Sequence, residues 1–233
     1  MPLPVVHMFG HEWMFGEGMI VDGESVRRVL GIRNVSPKAY VLRVACADMQ
    51  FTPGQHITLG VCGDRDVREY SIYSPPQAPY VEVLITETDP GLVSRKLRTL
   101  SPGDRVVVNG PYGFFTLPDK QDCRVVAIAT GTGIAPFHSM STAYPDLDML
   151  VLHGVREESD AYDRQDYRKY ISCTSRSDGG DFQGRVTDYL QGYDVPDDTY
   201  LYLCGNCEMI YAVYDLLQEK GIPPEKIKTE VYF

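Results

Sequence analysis

The feature that most constrains this chain is a change of hydrophobic period close to Pro118. Before it, segments such as "YVEVLITET" alternate. Val81, Val83 and Ile85 are interleaved with Glu82, Leu84 and Thr86, the period-2 signature of a strand with two unlike faces. "SVRRVLGIRNV", "AYVLRVACA" and "DRVVVNGPYG" are also strand-like, and strands at this spacing imply a barrel or sandwich. One short helix, "LVSRKLRTL", begins near Gly91. After Pro118, "CRVVAIAT" is a continuous apolar run, as expected of a strand covered on both faces. Strands and helices then alternate. "IAPFHSMSTAY" is a helix with Pro136 in its first turn, and it is followed by "LDMLVLHGV", a polar helical stretch near 157–167, "KYISCTS", "RVTDYLQ" and "TYLYLCG". In "CEMIYAVYDLLQEKG", residues Met209, Ile210, Val213, Leu216 and Leu217 share one helical face, and Gly221 caps it. "KIKTEVYF" is the last strand.

The expectation is an antiparallel β-barrel domain over residues 25–118, then a doubly wound parallel α/β domain over 119–233. An irregular arm, residues 1–24, precedes both.

A formal net charge of −10 speaks against a nucleic-acid footprint, which needs a basic surface. It also weighs against an acidic protein partner unless basic residues cluster locally. No apolar run approaches a membrane span, so no membrane insertion is expected. The N-terminal stretch does not read as a signal peptide. The six cysteines sit mostly in apolar runs and read as small buried hydrophobes, which implies a reducing cytoplasm. The histidines show no metal-ligand spacing, and no metal site is expected.

Four short segments carry chemical potential. Gly131–Thr132–Gly133, after Thr130, lies between a strand and a helix. It is either a phosphate-binding turn or simply a tight one. In "REYS", Arg68 could pair with a pyrophosphate, Tyr70 stack on a flat ring and Ser71 reach its edge; Glu69 lies between them. Gly91, Leu92, Val93 and Ser94 form a helix start that can bind an anion or merely cap itself. Cys204 closes a parallel strand, where open α/β sheets bind ligands. With Cys207 it makes a C-x-x-C, but the second cysteine reads as incidental.

Each signal alone is modest; their order is specific. "FTPGQH", "REYSIYS", "GLVSRKL", "GPYGFF", "ATGTGIAP", "CTSRS", "FQGRVTDYL", "LYLCGN" and "TEVYF" occur in the sequence of the ferredoxin–NADP reductase family, which the chain resembles from about Glu24 to Phe233. The resemblance is strongest to the family's bacterial branch. It implies FAD in the barrel and a nicotinamide dinucleotide on the α/β domain. Arg68 would meet the pyrophosphate, Tyr70 the isoalloxazine and Ser71 its N5 edge. Gly91–Ser94 would hold phosphates, and Gly131, Thr132 and Gly133 would contact the dinucleotide. Ser71, Cys204 and Glu230 would flank the hydride path. A terminal aromatic, Tyr232 or Phe233, would cover the flavin, and alignment on Glu230 selects Tyr232. Ser175, Arg176 and Arg185, with Arg156 as a weaker candidate, match positions that hold the 2′-phosphate of NADP(H). Otherwise these arginines simply balance Asp178, Asp181 and Asp188. The implied function is electron exchange between NADP(H) and ferredoxin or flavodoxin. Alternatives are an NADH-dependent oxygenase reductase, a free-flavin or quinone reductase, and a non-catalytic flavin subunit.

Overall fold

The computed structural model describes residues 26–87, 91–118 and 123–232. The expected arm (1–24), the boundary at 119–120 and Phe233 lie outside these residues.

The first unit is one antiparallel sheet of six strands. These are β1 (Val26–Asn34), β2 (Ala39–Val44), β3 (His56–Val61), β4 (Arg68–Ser71), β5 (Val81–Thr86) and β6 (Arg105–Tyr112), in the order β4-β3-β6-β1-β2-β5. The sheet curls until its edges meet: Ile72, just past β4, bridges Val83 of β5. Curling buries one face, and Tyr40, Leu42, Ile57, Leu59, Val83 and Val106 fill it. Helix α1 (Leu92–Arg98) adds Val93 and Leu97 to the same core.

The second unit is a parallel sheet. Its strands are β7 (Arg124–Thr130), β8 (Met149–Val155), β9 (Lys169–Thr174), β10 (Phe182–Gln183), β11 (Thr199–Asn206) and β12 (Ile227–Tyr232), in the order β10-β9-β8-β7-β11-β12. Its helices are α2 (Ala135–Ala143), α3 (Val186–Gln191) and α4 (Cys207–Glu219). β7 explains why its sequence reads as an unbroken apolar run. Val125, Ala127 and Ala129 point to one core with α2, whereas Val126 and Ile128 point to another with α3 and α4. In α4, Ile210, Val213 and Leu217 are buried, with Met209 and Leu216 packed beside them. Asn206 caps this helix by accepting from the Glu208 and Met209 amides.

One expectation needs correction, and one needs filling in. The polar stretch 157–167 is not a helix but two single 3₁₀ turns, Glu158–Asp160 and Arg164–Asp166. With few apolar residues at helical spacing, it has no face to bury. β5 also lacks a solvent face: Val81 through Ile85 are all buried. Val83 and Ile85 face the barrel core, and Leu84 joins Ala39, Val41 and Tyr73 in the core that includes Ala127 and Phe137 of the parallel unit. The two faces are unlike, as alternation implies, and the second one meets the parallel unit.

Candidate active site

The order of strands in the parallel sheet reverses between β7 and β11, so the crevice beyond their carboxyl ends is the position where such sheets bind ligands. Thr130 and Gly131 end β7; Cys204, Gly205 and Asn206 end β11. The packing there requires small residues. A Cβ at Gly133 would collide with the Cys204 backbone, and one at Gly205, where φ is +132°, would strike the Thr130 hydroxyl. That hydroxyl instead accepts from the Asn206 amide at 3.1 Å. His153, fully buried at the end of β8, fixes the turn from below. Its Nε2–H donates to the Gly131 carbonyl at 2.8 Å while Nδ1 accepts from the Tyr170 hydroxyl at 2.7 Å. Burial pushes its pKa down to about 4, so the ring stays neutral.

Four residues expected at the hydride path converge here from opposite units. Tyr232 donates its hydroxyl to Ser71 Oγ at 2.6 Å, and Ser71 donates to Glu230 Oε2 at 3.1 Å. The Cys204 thiol faces the same oxygen at 3.9 Å. Parallel pairing sets Cys204 directly beside Glu230. Ser71 closes β4 of the barrel, so the cluster spans the junction. Burial raises the Glu230 carboxyl to about 7, against the stabilising hydrogen bonds from Ser71 and Cys204. Burial likewise raises the Cys204 thiol and the Tyr232 phenol far above their ordinary values. The cluster is therefore uncharged or singly charged near neutral pH and can orient and exchange a proton without water.

A fifth member was quoted in the sequence but not promoted. His56, the first residue of β3, pairs across strands with Ser71, which puts both side chains on one face. Its Nδ1 lies 3.9 Å from Glu230 Oε1. The available signal was the register of "FTPGQH" against "REYS", which strand pairing sets but sequence alone does not display.

The remaining expected residues lie in two groups. On the barrel, Arg68 and Glu69 are exposed; the Arg68 guanidinium donates only to the adjacent Val67 carbonyl, and Tyr70 is half-buried. The first turn of α1 has no acidic residue and no side-chain cap from Gly91, and Leu92 is 65% exposed. Val93 and Ser94 are buried. On the parallel unit, the Ser175 and Arg176 amides donate to the Val155 and Arg156 carbonyls, which places both residues beside the end of β8. Arg156, Arg176 and Arg185 are exposed and, among the described residues, form no side-chain ion pair. The Arg185 amide instead donates to Asp188 in the cap of α3. The fit to a flavin dinucleotide is chemical: the exposed Arg68 guanidinium suits a pyrophosphate, while the Tyr70, Ser71 and Tyr232 group suits a planar ring with a polar edge.

Comparison with known proteins finds two matching families. Residues 30–117 match the oxidoreductase FAD-binding domain family, and residues 127–215 match the oxidoreductase NAD-binding domain family. A flavodoxin/ferredoxin–NADP reductase of Shigella flexneri is 27% identical over 78% of this chain and 85% of its own length. The toluate 1,2-dioxygenase electron transfer component of Pseudomonas putida is 27% identical over 88% of this chain but only 66% of its own length. Among solved structures, a ferredoxin–NADP reductase from Neisseria gonorrhoeae with bound FAD and NADP superposes with a TM-score of 0.79 at 22% identity, covering 89% of this chain and 98% of that one. Among the described residues, no helix is long and apolar enough to cross a membrane.

Proposed function

Because this chain belongs to the ferredoxin–NADP reductase family, we propose that it is an FAD-dependent oxidoreductase exchanging electrons between NADP(H) and a one-electron protein carrier such as ferredoxin or flavodoxin. One observation carries the reading. Ser71 from the barrel and Cys204, Glu230 and Tyr232 from the parallel unit form a single hydrogen-bonded group at the strand switch point. Bound FAD would supply the redox chemistry, accepting hydride at N5 from nicotinamide C4.

The protein's own residues position and insulate. Arg68 and the start of α1, Gly91–Ser94, hold the flavin phosphates. Tyr70 and Tyr232 hold the ring, with Tyr232 leaving its Ser71 contact when nicotinamide arrives. Thr130–Gly133 seats the dinucleotide. The proposed FAD-binding unit is 25–118 and the proposed dinucleotide unit 119–233.

The preference for NADP(H) rests on Ser175, Arg176 and Arg185, with Arg156 alongside. Guanidiniums without an ion-pair partner suit a 2′-phosphate. The partner reading draws on charge distribution. Residues 26–118 carry eleven Lys and Arg against eight Asp and Glu, whereas 119–233 carry eleven against twenty. The barrel is thus the basic part of an acidic chain, which supports docking of an acidic carrier there. Six unbridged cysteines support a reducing cytoplasm.

The test is steady-state reduction of ferricyanide by the FAD-loaded protein with NADPH and NADH side by side. A large NADPH preference, lost on changing Arg176 or Arg185, is the expected outcome. Equal or NADH-favouring rates would contradict the phosphate site and favour an oxygenase-type reductase; no turnover with either would favour a non-catalytic flavin subunit.

A further inference from the structure

His56 has no role in the reading above, yet it is placed as a participant. The residue is 7% exposed, and its Nδ1 is buried with no hydrogen-bond partner among the described residues. A buried imidazole nitrogen left unpaired is costly, and most such nitrogens find a partner. His153 shows the usual outcome in the same protein, with both nitrogens engaged. The space beside His56 Nδ1 exists because residue 113 is glycine: a Cβ there would lie 2.8 Å from Nδ1. What faces the nitrogen is Glu230 Oε1, at 3.9 Å. The other carboxylate oxygen, Oε2, is taken by Ser71 and Cys204. Glu230 therefore stands between a hydroxyl on the reaction side and an imidazole on the far side, one oxygen for each. Beyond the imidazole lies the half-exposed Tyr112 ring, with centroids 5.9 Å apart.

We propose that His56 is the proton-exchange partner of Glu230, and that the pair carries a proton from Ser71 Oγ out of the hydride site. The inference rests on the reductase reading for its purpose, though not for its geometry. Oxidation of one NADPH whose two electrons leave singly to a carrier yields NADP⁺, two electrons and one proton. Hydride arrival needs no proton from the protein; electron departure must release one. Ser71 Oγ takes that proton and passes its own to Glu230 Oε2. Glu230 gives up a proton from Oε1 to His56 Nδ1 when the two, 3.9 Å apart here, close to hydrogen-bond distance. Burial raises the Glu230 acid to about 7 and lowers the His56 imidazole, so the proton rests on Glu230 and His56 holds it only in passing. The other titratable groups facing the pair are Glu69, Tyr112, Cys204 and Tyr232; the Glu69 charge raises both members.

The experiment follows the His56 ring by NMR in histidine-labelled, FAD-loaded protein, assigned with His56→Asn and titrated from pH 5 to 9. In the wild type His56 titrates together with Glu230. In Glu230→Gln its midpoint falls by about one pH unit or more, in a single step. An unchanged midpoint in Glu230→Gln overturns the proposal. Stopped flow gives a second reading. His56→Gln keeps flavin bleaching by NADPH within about threefold of the wild type but slows delivery of electrons to ferricyanide about tenfold or more above pH 7. Equal slowing of both halves, or of neither, also counts against it. A coupled His56 titration without nicotinamide-driven bleaching would preserve the proton pair and remove the reductase reading; normal bleaching with an uncoupled His56 would do the reverse.

Discussion

Two polar clusters cross the junction between the barrel and the parallel unit, and they are built on opposite plans. In the first, Arg33 at the end of β1 donates two hydrogen bonds to Asp163, at 2.9 and 2.6 Å, and the Tyr73 hydroxyl donates a third at 2.7 Å. His138 stacks on the Tyr73 ring with centroids 3.7 Å apart, and its nitrogens face the Tyr73 carbonyl and Asp166. The Asp163 carboxylate there is matched by the Arg33 guanidinium. Burial alone would raise the Asp163 carboxyl, but the Arg33 and Tyr73 hydrogen bonds bring it below the usual range. In the second cluster, Glu230 is buried with hydroxyl, thiol and an imidazole, and among the described residues no Lys or Arg pairs with it. The first cluster fastens the two units. The second leaves a proton free to move. His138, Asp163 and Asp166 also present metal-ligand atoms within 4.8 Å of one another, but Arg33 and Tyr73 already occupy the Asp163 oxygens.

The contrast gives the two clusters opposite pH signs. Glu230 has a folded pKa above its unfolded value, so its protonated form stabilises the fold at low pH, and that contribution is lost as pH rises from about 4.5 towards 7. Replacing Glu230 by glutamine should therefore stabilise the apoprotein at pH 8 by on the order of 3 kcal/mol relative to wild type, and by little at pH 4. Chemical denaturation at the two pH values measures it; equal effects at both would erase the distinction. Asp163 behaves in reverse: its stabilisation is present above its unfolded pKa and is lost as pH falls through the lowered folded one. Arg33→Ala should cost about 1–3 kcal/mol at pH 7, discounted because half of the guanidinium is exposed, and less in acid. It should leave the rate of flavin reduction within a few-fold; a large kinetic loss would mean that the fastening cluster also shapes the site. The smallest expected change is outside both clusters. Arg176→Ala should raise KM for NADPH about tenfold while leaving NADH unaffected, measured by steady-state kinetics.

Much of this was legible from residue order, and the exceptions have physical reasons. Both sheets followed from their periods, and Ser71, Cys204 and Glu230 could be grouped through motif order although 159 positions separate Ser71 from Glu230. The alternation of β5 shows that its faces differ, not what covers each of them; Leu84 and Glu82 are both buried, the latter paired with Arg43 at 2.8 Å. The stretch 157–167 fits a polar helix in the alternation of strands and helices, but the structure has none there. Instead its residues serve the junction, with Asp163 in a left-handed conformation at φ +46° that points its carboxylate at Arg33 and Tyr73. His56 was invisible because its meaning depends on pairing opposite Ser71 and on a glycine 57 positions later, neither of which a one-dimensional pattern encodes.

The central claim is that the contact between Ser71 and Glu230 across the junction is where hydride arrives. Anaerobic stopped-flow reduction of the FAD-loaded protein by NADPH, wild type against Glu230→Gln, isolates that step from any partner. The account predicts rapid bleaching in the wild type and a loss of about 100-fold or more in the variant, with flavin content unchanged. Equal rates in the two proteins, or a wild type that NADPH does not bleach, would contradict it.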